Sequence, residues 1–493
     1  MSETAPSLSG RHLARHAIWN LVGMTAPLAV AFLAVPLLIE ALGPERFGLL
    51  AIIWMGVGYF TLFDMGLGRA LTRLIVERLS RKDTSDLGEL IWTAGALIAL
   101  IGAFGAVTLV ATAGWLSDRV FSMAEALEAE STSALRVLAA GIPIVVLTSG
   151  LIGILEAHQR FAAIAKVRML LGLLNFLGPL AVTFITPDLT AITSVLLLGR
   201  ICAFIAFFML AKGVCPELER PYTPRRRHVR PLIFFGGWLT VTNVVGPIMV
   251  YFDRFFIGSV LGMAAVAYYA TPHEAISRLS LIPRAVIGVL FPSLTRAFVS
   301  DRRRLAELYG QSSFVLLLIM LPPVAAVFLL APEGLTLWLG EDFRRESTVV
   351  VHWLAVGSII NLLGRAPLTL LQSSGRPDLT AKLHVAEVVP YLVLLWWLTA
   401  EYGIAGAAAA WALRILVDTV LLLVLASKTV QDVRSQVTRT LTGLPVLMGA
   451  FALAGMIEDV VMRLLMTLAV CVICTVLLWP KVSHLLRRRS YAA

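Results

Sequence analysis

The chain has 493 residues, of which 58% are hydrophobic and only 15% charged, and its mean hydropathy of +0.84 is more than a soluble core can absorb. A formal charge of +10 would suggest nucleic acid in a soluble protein, but here the basic residues sort by loop, so no nucleic-acid partner is expected. Cys202, Cys215, Cys471 and Cys474 lie in apolar segments or a basic loop, which argues against a secreted disulfide framework.

The polar stretch Met1 to Ala17 carries Arg11 and Arg15 and lacks a cleavage site after a short apolar core, so it reads as a cytoplasmic N-terminus and not a signal peptide. From Ile18 onward, apolar runs of about 18 to 25 residues recur with short polar breaks, each long enough to cross about 30 Å of hydrocarbon as helix. Helices are expected at 18–39, 47–68, 88–113, 137–155, 162–185, 190–211, 232–252, 264–296, 312–331, 348–372, 379–399, 404–426, 440–457 and 463–480. The expected fold is therefore all-α and polytopic, with about fourteen transmembrane helices. By count, about 29 of the 41 Lys and Arg fall on alternate connections and both ends, and about 6 on the others. By the positive-inside rule both termini are cytoplasmic. External connections are acidic: Asp118, Glu125, Glu128 and Glu130 in one, Glu333, Glu341, Asp342 and Glu346 in another.

Sliding the second half over the first exposes a repeat. Trp19 falls on Trp238, Leu155 and Arg160 fall on Leu371 and Arg376, and Arg200-Ile201 falls on Arg414-Ile415. The offset spans six helices, an even number, so the two halves share one orientation. The expected organisation is an N-lobe at 18–212, a basic cytoplasmic linker at 213–231, a C-lobe at 232–427, two appended helices at 428–480 and a cytoplasmic tail at 481–493.

The stretch Leu37-Leu-Ile-Glu-Ala-Leu-Gly-Pro-Glu-Arg-Phe-Gly48, followed by Leu62-Phe-Asp-Met-Gly-Leu-Gly68, resembles the first two helices of the polysaccharide transporter family. That family holds the O-antigen and capsule-type flippases of the multidrug/oligosaccharidyl-lipid/polysaccharide flippase superfamily. Tyr251-Phe-Asp-Arg-Phe-Phe-Ile-Gly-Ser-Val-Leu-Gly262, Tyr268-Tyr-Ala270 and Leu290-Phe-Pro-Ser-Leu294 resemble its seventh and eighth helices. Gln372-Ser-Ser-Gly-Arg376 and Tyr402-Gly-Ile-Ala-Gly-Ala-Ala408 resemble its tenth to twelfth. The resemblance implies alternating access by two lobes in the inner membrane. It also implies a lipid-linked oligosaccharide as substrate, with a polysaccharide polymerase or glycosyltransferases as candidate partners beside the membrane lipids.

There is no Gly-rich phosphate loop, metal-ligand cluster or nucleophile with a base beside it, so no cofactor is expected and neither an ATPase nor a hydrolase is supported. Mechanism then rests on ionisable groups within the apolar runs: Asp64, Arg200, Asp253, Arg254, Glu274, Arg278, Arg284, Arg365, Arg414 and Asp418. An arginine facing lipid near the midplane costs about 3 kcal/mol, so these must meet water, acids or ligand. Glu274 with Arg278, and Arg414 with Asp418, are four apart and could each form a self-contained ion pair. Arg200, Arg284 and Arg365 have no acid at that spacing.

Six arginines against four acids leave the set cationic, which suits a diphosphate-linked glycan, since guanidinium forks bind phosphate oxygens in pairs. Arg200, Arg278, Arg284, Arg365 and Arg414 are the candidate substrate-binding residues. Asp64, Asp253, Arg254, Glu274 and Asp418 are candidates for gating or coupling. The transport expected is movement of a polyprenyl-diphosphate-linked oligosaccharide to the external leaflet. A multidrug exporter of the same superfamily and a polytopic glycan polymerase or ligase are the alternatives. The eighth helix, with Tyr268, His273 and Glu274 among its polar residues and Pro272, Pro283 and Pro292 in its backbone, suits a cavity lining.

The topology is open to test by single-cysteine labelling in intact cells. An impermeant maleimide is expected to label positions 128 and 342 and to spare 226 and 303; labelling at either of the last two would reverse the orientation.

Overall fold

In a computed structural model, residues 10–60, 66–121, 125–281, 283, 287, 290, 294–298 and 301–490 are described, the side chains of 10–26, 59–60, 125, 235–251 and 481–490 excepted. Among them the protein is helical throughout. Two compact units divide it, Met1–Ala264 and Ala265–Ala493. The first holds α1 (Gly10–Phe60), α2 (Leu67–Arg81), α3 (Leu87–Trp115), α4 (Glu125–Ala157), α5 (Phe161–Thr183), α6 (Leu189–Lys212) and α7 (Arg226–Leu261). The second holds α8 (Met263–Ser277), which begins just before the division, α9 (Arg302–Leu329), α10 (Ala331–Leu339), α11 (Glu341–Ser373), α12 (Pro377–Thr429), α13 (Arg434–Gly455) and α14 (Val460–Ser490).

Ten described helices are long and apolar enough to cross a membrane. Two of these are too long for one crossing. An unbroken helix of 53 residues, the length of α12, would reach about 80 Å, more than twice the hydrocarbon thickness. Both are interrupted by a glycine with positive φ, Gly43 (φ 71°) in α1 and Gly403 (φ 58°) in α12. Only glycine adopts such angles without a steric penalty, so each chain turns there and supplies two spans. The expected breaks between 39 and 47 and between 399 and 404 fall at these two points, and the element order is consistent with the fourteen-helix reading.

Several segments expected as connections are helical, among them α10 and the first turns of α7 and α11. α2 covers a stretch read as a basic inside loop; its Leu67, Leu71 and Ile75 recur at fourfold spacing and are buried, while Arg69 and Arg73 between them are exposed. α4 starts at Glu125 and not at 137, because Glu128 and Glu130 sit in its first two turns, where carboxylates complement the helix dipole. α9 starts at Arg302, capped by Asp301, whose carboxylate accepts the Arg304 N–H at 3.0 Å.

The linker between α6 and α7 is docked rather than loose. Gly88, Glu89, Trp92 and Thr93 form one face of α3, and each holds it. Trp92 Nε1 donates to the Glu217 carbonyl (3.3 Å) and the Arg225 N–H donates to Thr93 Oγ1 (2.9 Å). Arg227 Nη2 pairs with Glu89 at 2.7 Å. Arg78 bonds both oxygens of Asp86 at 2.6 and 3.0 Å, which holds that carboxyl below its ordinary range and keeps the neighbouring turn charged. The Tyr222 ring fills the space over Gly88 so closely that an added Cβ would lie 2.5 Å from it.

Gly88→Ala is therefore expected to cost about 1–3 kcal/mol by overpacking and to undock the linker. Limited trypsin digestion of the membrane-embedded protein should then cut faster within 220–230, and adding Tyr222→Ala should restore the original rate.

Candidate functional site

Charges placed within membrane-spanning helices must be traced one at a time, because each costs free energy unless solvated or paired. In the first unit, Arg200 on α6 is half-buried, with its Nε shielded from solvent. Its Nη2 donates to Asn175 Oδ1 on α5 at 3.2 Å, and its Nε makes no hydrogen bond among the described residues. It has no acid within 4.0 Å among them. Beside it lies a cavity of about 20 Å³ lined by Ile53, Leu138, Ile142 and Thr193, among others. That volume takes about one water.

On α7, Asp253 and Arg254 are 0% and 2% exposed. Neighbours on a helix normally face apart. Here the long arginine folds back, placing Nη1 3.3 Å from Asp253 Oδ1. Towards one end of the unit, Arg46 grips both oxygens of Glu130 at 3.0 to 3.2 Å, and Glu130 Oε1 also accepts the Leu189 N–H at 2.7 Å. Glu130 thereby ties α1, α4 and the start of α6, a structural task that its reading as a loop acid did not include.

In the second unit, Glu274 and Arg278 pair at 3.1 Å at the end of α8. Both are about half exposed, and the helix becomes 3₁₀ over Arg278–Ser280. His273 is buried, stacked on Tyr269 and edge-on to Trp411. Arg365 on α11 is half-buried.

The sequence allowed an Arg414–Asp418 pair; the structure instead shows a cross-arm arrangement. The turn at Gly403 lays the two arms of α12 side by side, and Arg414 Nε faces Glu387 Oε2 at 3.5 Å while Asp418 faces His384 Nε2 at 3.4 Å. Arg414 also lies 5.7 Å from the Tyr391 ring. These separations are longer than good hydrogen bonds. Four charged or titratable groups are thus gathered in one loose cluster, two from each arm. Asp64 and Arg284 lie outside the described residues.

His384, Glu387 and Asn175 escaped the sequence reading of the site. His384 and Glu387 were visible as polar residues three apart inside an apolar run, hence on one helix face. Counting Glu387 reduces the excess of arginine to six against five acids. Asn175 carries no charge and leaves no such signal.

A family model described as polysaccharide biosynthesis protein matches residues 38–348. The putative O-antigen transporter of Shigella flexneri is 31% identical over 414 residues, 83% of this chain and 96% of that protein. The chain belongs to the polysaccharide biosynthesis protein family. A second relative, the succinoglycan biosynthesis transport protein ExoT of Rhizobium meliloti, is 22% identical over 82% of this chain and 75% of its own. Among solved structures, the lipid II flippase MurJ in an inward closed conformation aligns with TM-score 0.70 at 13% identity, over 94% of this chain and 99% of that one. An inward-facing multidrug resistance transporter of the MATE family aligns at 0.69 and 15%, over 84% and 99%. At those identities the two structures establish the fold. The polysaccharide family members are membrane transporters of polysaccharide biosynthesis, as the motifs in the first two helices implied.

Within this family member the cross-arm pairing can be separated from pairing along one helix. Arg414→Ala should lower the melting temperature in detergent, costing about 3 kcal/mol, because Glu387 loses its facing cation in a buried setting. Adding Glu387→Ala should recover more of that loss than adding Asp418→Ala. The reverse order would restore the one-arm pair.

Proposed function

We propose that the protein is a flippase that carries a polyprenyl-diphosphate-linked oligosaccharide from the cytoplasmic to the external leaflet by alternating access. The observation that carries the reading is Arg200: a half-buried guanidinium whose Nε is shielded from solvent and whose partner is a neutral amide. A cation that keeps its charge in a low-dielectric setting attracts an anion strongly. Diphosphate is an anion with oxygens spaced for its fork. The adjoining cavity is too small for such a ligand, so binding requires the surrounding helices to part, as alternating access provides.

The 31% identical relative is named for O-antigen transport, and an archaeal relative, 25% identical over 202 residues, is a probable glycan biosynthesis flippase. Drug transporters are similar at the level of fold. Glu274 and Arg278 support a water-filled path, since a half-exposed ion pair on a membrane helix cannot be left against hydrocarbon. Arg278, Arg365 and Arg414 are assigned with Arg200 to substrate, and Arg284 joins them from its sequence position. Asp64, Asp253, Arg254, Glu274 and Asp418 are assigned to gating or coupling. The loose contacts around Asp418 suit partners that exchange during the cycle. The polymerase or glycosyltransferases that make and use the glycan are its expected neighbours in the inner membrane.

In a strain lacking the gene, Arg200→Ala and Arg365→Ala are expected to abolish surface glycan at matched protein abundance, and Lys at either position to retain a fraction, since it keeps the charge and loses the fork. Normal glycan display from both Ala variants would remove these residues from diphosphate handling.

A further inference from the structure

The first unit contains a second cavity, of about 370 Å³, away from Arg200. Leu71 of α2, Ile98 of α3, Leu151 of α4 and Phe204 of α6 form its walls, and Leu218 and Pro224 of the docked linker close one end. Its lining is almost wholly apolar. Water would find too few partners there to replace its own hydrogen bonds, so the natural occupant is hydrocarbon. Of the lining residues, Ala96 and Phe208 are exposed. The surrounding faces of α3 and α6 expose Leu100, Phe104, Ile205 and Met209, so the slot opens where the unit meets lipid.

Its depth matches one leaflet. The wall residues of α3 run from Ile91 to Ala99, about 6 to 18 Å along the helix from Leu87, against about 15 Å for half the hydrocarbon. The linker end of the slot carries the other half of the pattern. Arg225 and Arg227 are engaged by Glu89. Arg220, Arg226 and Arg230 are exposed, with no acid within 4.0 Å among the described residues. Arg220 and Arg226 each lie two residues from a floor residue.

We propose that this slot is a loading site for the substrate, seating the polyprenyl chain while the diphosphate rests on Arg220, Arg226 and Arg230 before translocation. This rests on the transport reading given above and on the linker being cytoplasmic. A single narrow slot ending in three unneutralised cations matches a one-chain lipid with a polyanionic head. A glycerophospholipid brings two chains and fewer charges.

A photoreactive benzoylphenylalanine at Ala96, in membrane vesicles supplied with labelled polyprenyl-diphosphate oligosaccharide and labelled phospholipid, reads the occupant directly. Adduct with the polyprenyl lipid is expected, falling about fivefold for each of the three arginines changed to Gln. Those changes are at exposed positions, Arg220 in the linker and Arg226 and Arg230 in the first turns of α7. Ala99→Trp, which fills the slot, should remove the adduct and lower glycan display at matched abundance. Adduct with phospholipid alone, or a polyprenyl adduct indifferent to the arginines, overturns the loading site while glycan display by the unmodified protein upholds transport. Failure of the unmodified protein to restore surface glycan to a strain lacking the gene would instead overturn the transport reading.

Discussion

Hydrocarbon solvates neither a charge nor a free peptide group, and a chain that places ionisable residues in membrane-spanning helices must supply their solvation from within. The tertiary structure follows this demand. Arg46 and Glu130 hold the arm of α1 that follows Gly43 to α4. Glu130 also meets the start of α6, where Asp188 caps the helix by accepting from the Thr190 and Ala191 N–H groups. In the second unit Arg463 on α14 pairs with Glu333 on α10 at 2.7 Å. Each of these pairs joins elements distant in sequence, so satisfying the charge also fixes the packing.

The glycine turns make the pairing possible. Without Gly403, Glu387 would lie about 40 Å along a continuous helix from Arg414, and His384 about 50 Å from Asp418. The turn brings the two arms together, so that one acid and one base of each arm meet their opposites. Small residues then let the packing close. Gly357 and Gly364 of α11 lie so near Trp411 and Thr419 of α12 that a Cβ at either position would collide with them.

Spans, order and the two breaks were legible because they depend on run length and on Gly and Pro, which act locally. The family was legible in the first two helices for a related reason: its motifs lie around the Gly43 turn and its Pro44 neighbour, where backbone geometry restricts the residues allowed. Pairing was less legible. The four-residue rule offered Asp418 to Arg414, but both compete with groups on the other arm, and spacing within one helix carries no information about a helix packed beside it. Glu387 and His384 were in view, as a face of polar residues in an apolar run. What was missing was the register of the hairpin. The helical character of α2 was likewise hidden by its arginines, which mark a loop to the charge count and a solvated helix face to the periodicity.

The contrast between Arg200 and Arg414 bears on how work divides between the two units. An arginine facing a carboxylate has spent much of its field locally, and an approaching anion must compete with that carboxylate. An arginine whose partner is an amide has not. Arg200 and Arg414 occupy matching places in the sequence repeat, so the same helix position has been given a neutral partner in one unit and an acidic one in the other. On the proposed reading, Arg200 contributes affinity for the diphosphate. Arg414 reaches the diphosphate only by exchanging its contact with Glu387, which is long and has Asp418 and His384 beside it. Repeat symmetry supplies the scaffold, and the departure from it at the two partners gives one arginine ready for the diphosphate and one that must first leave its acid.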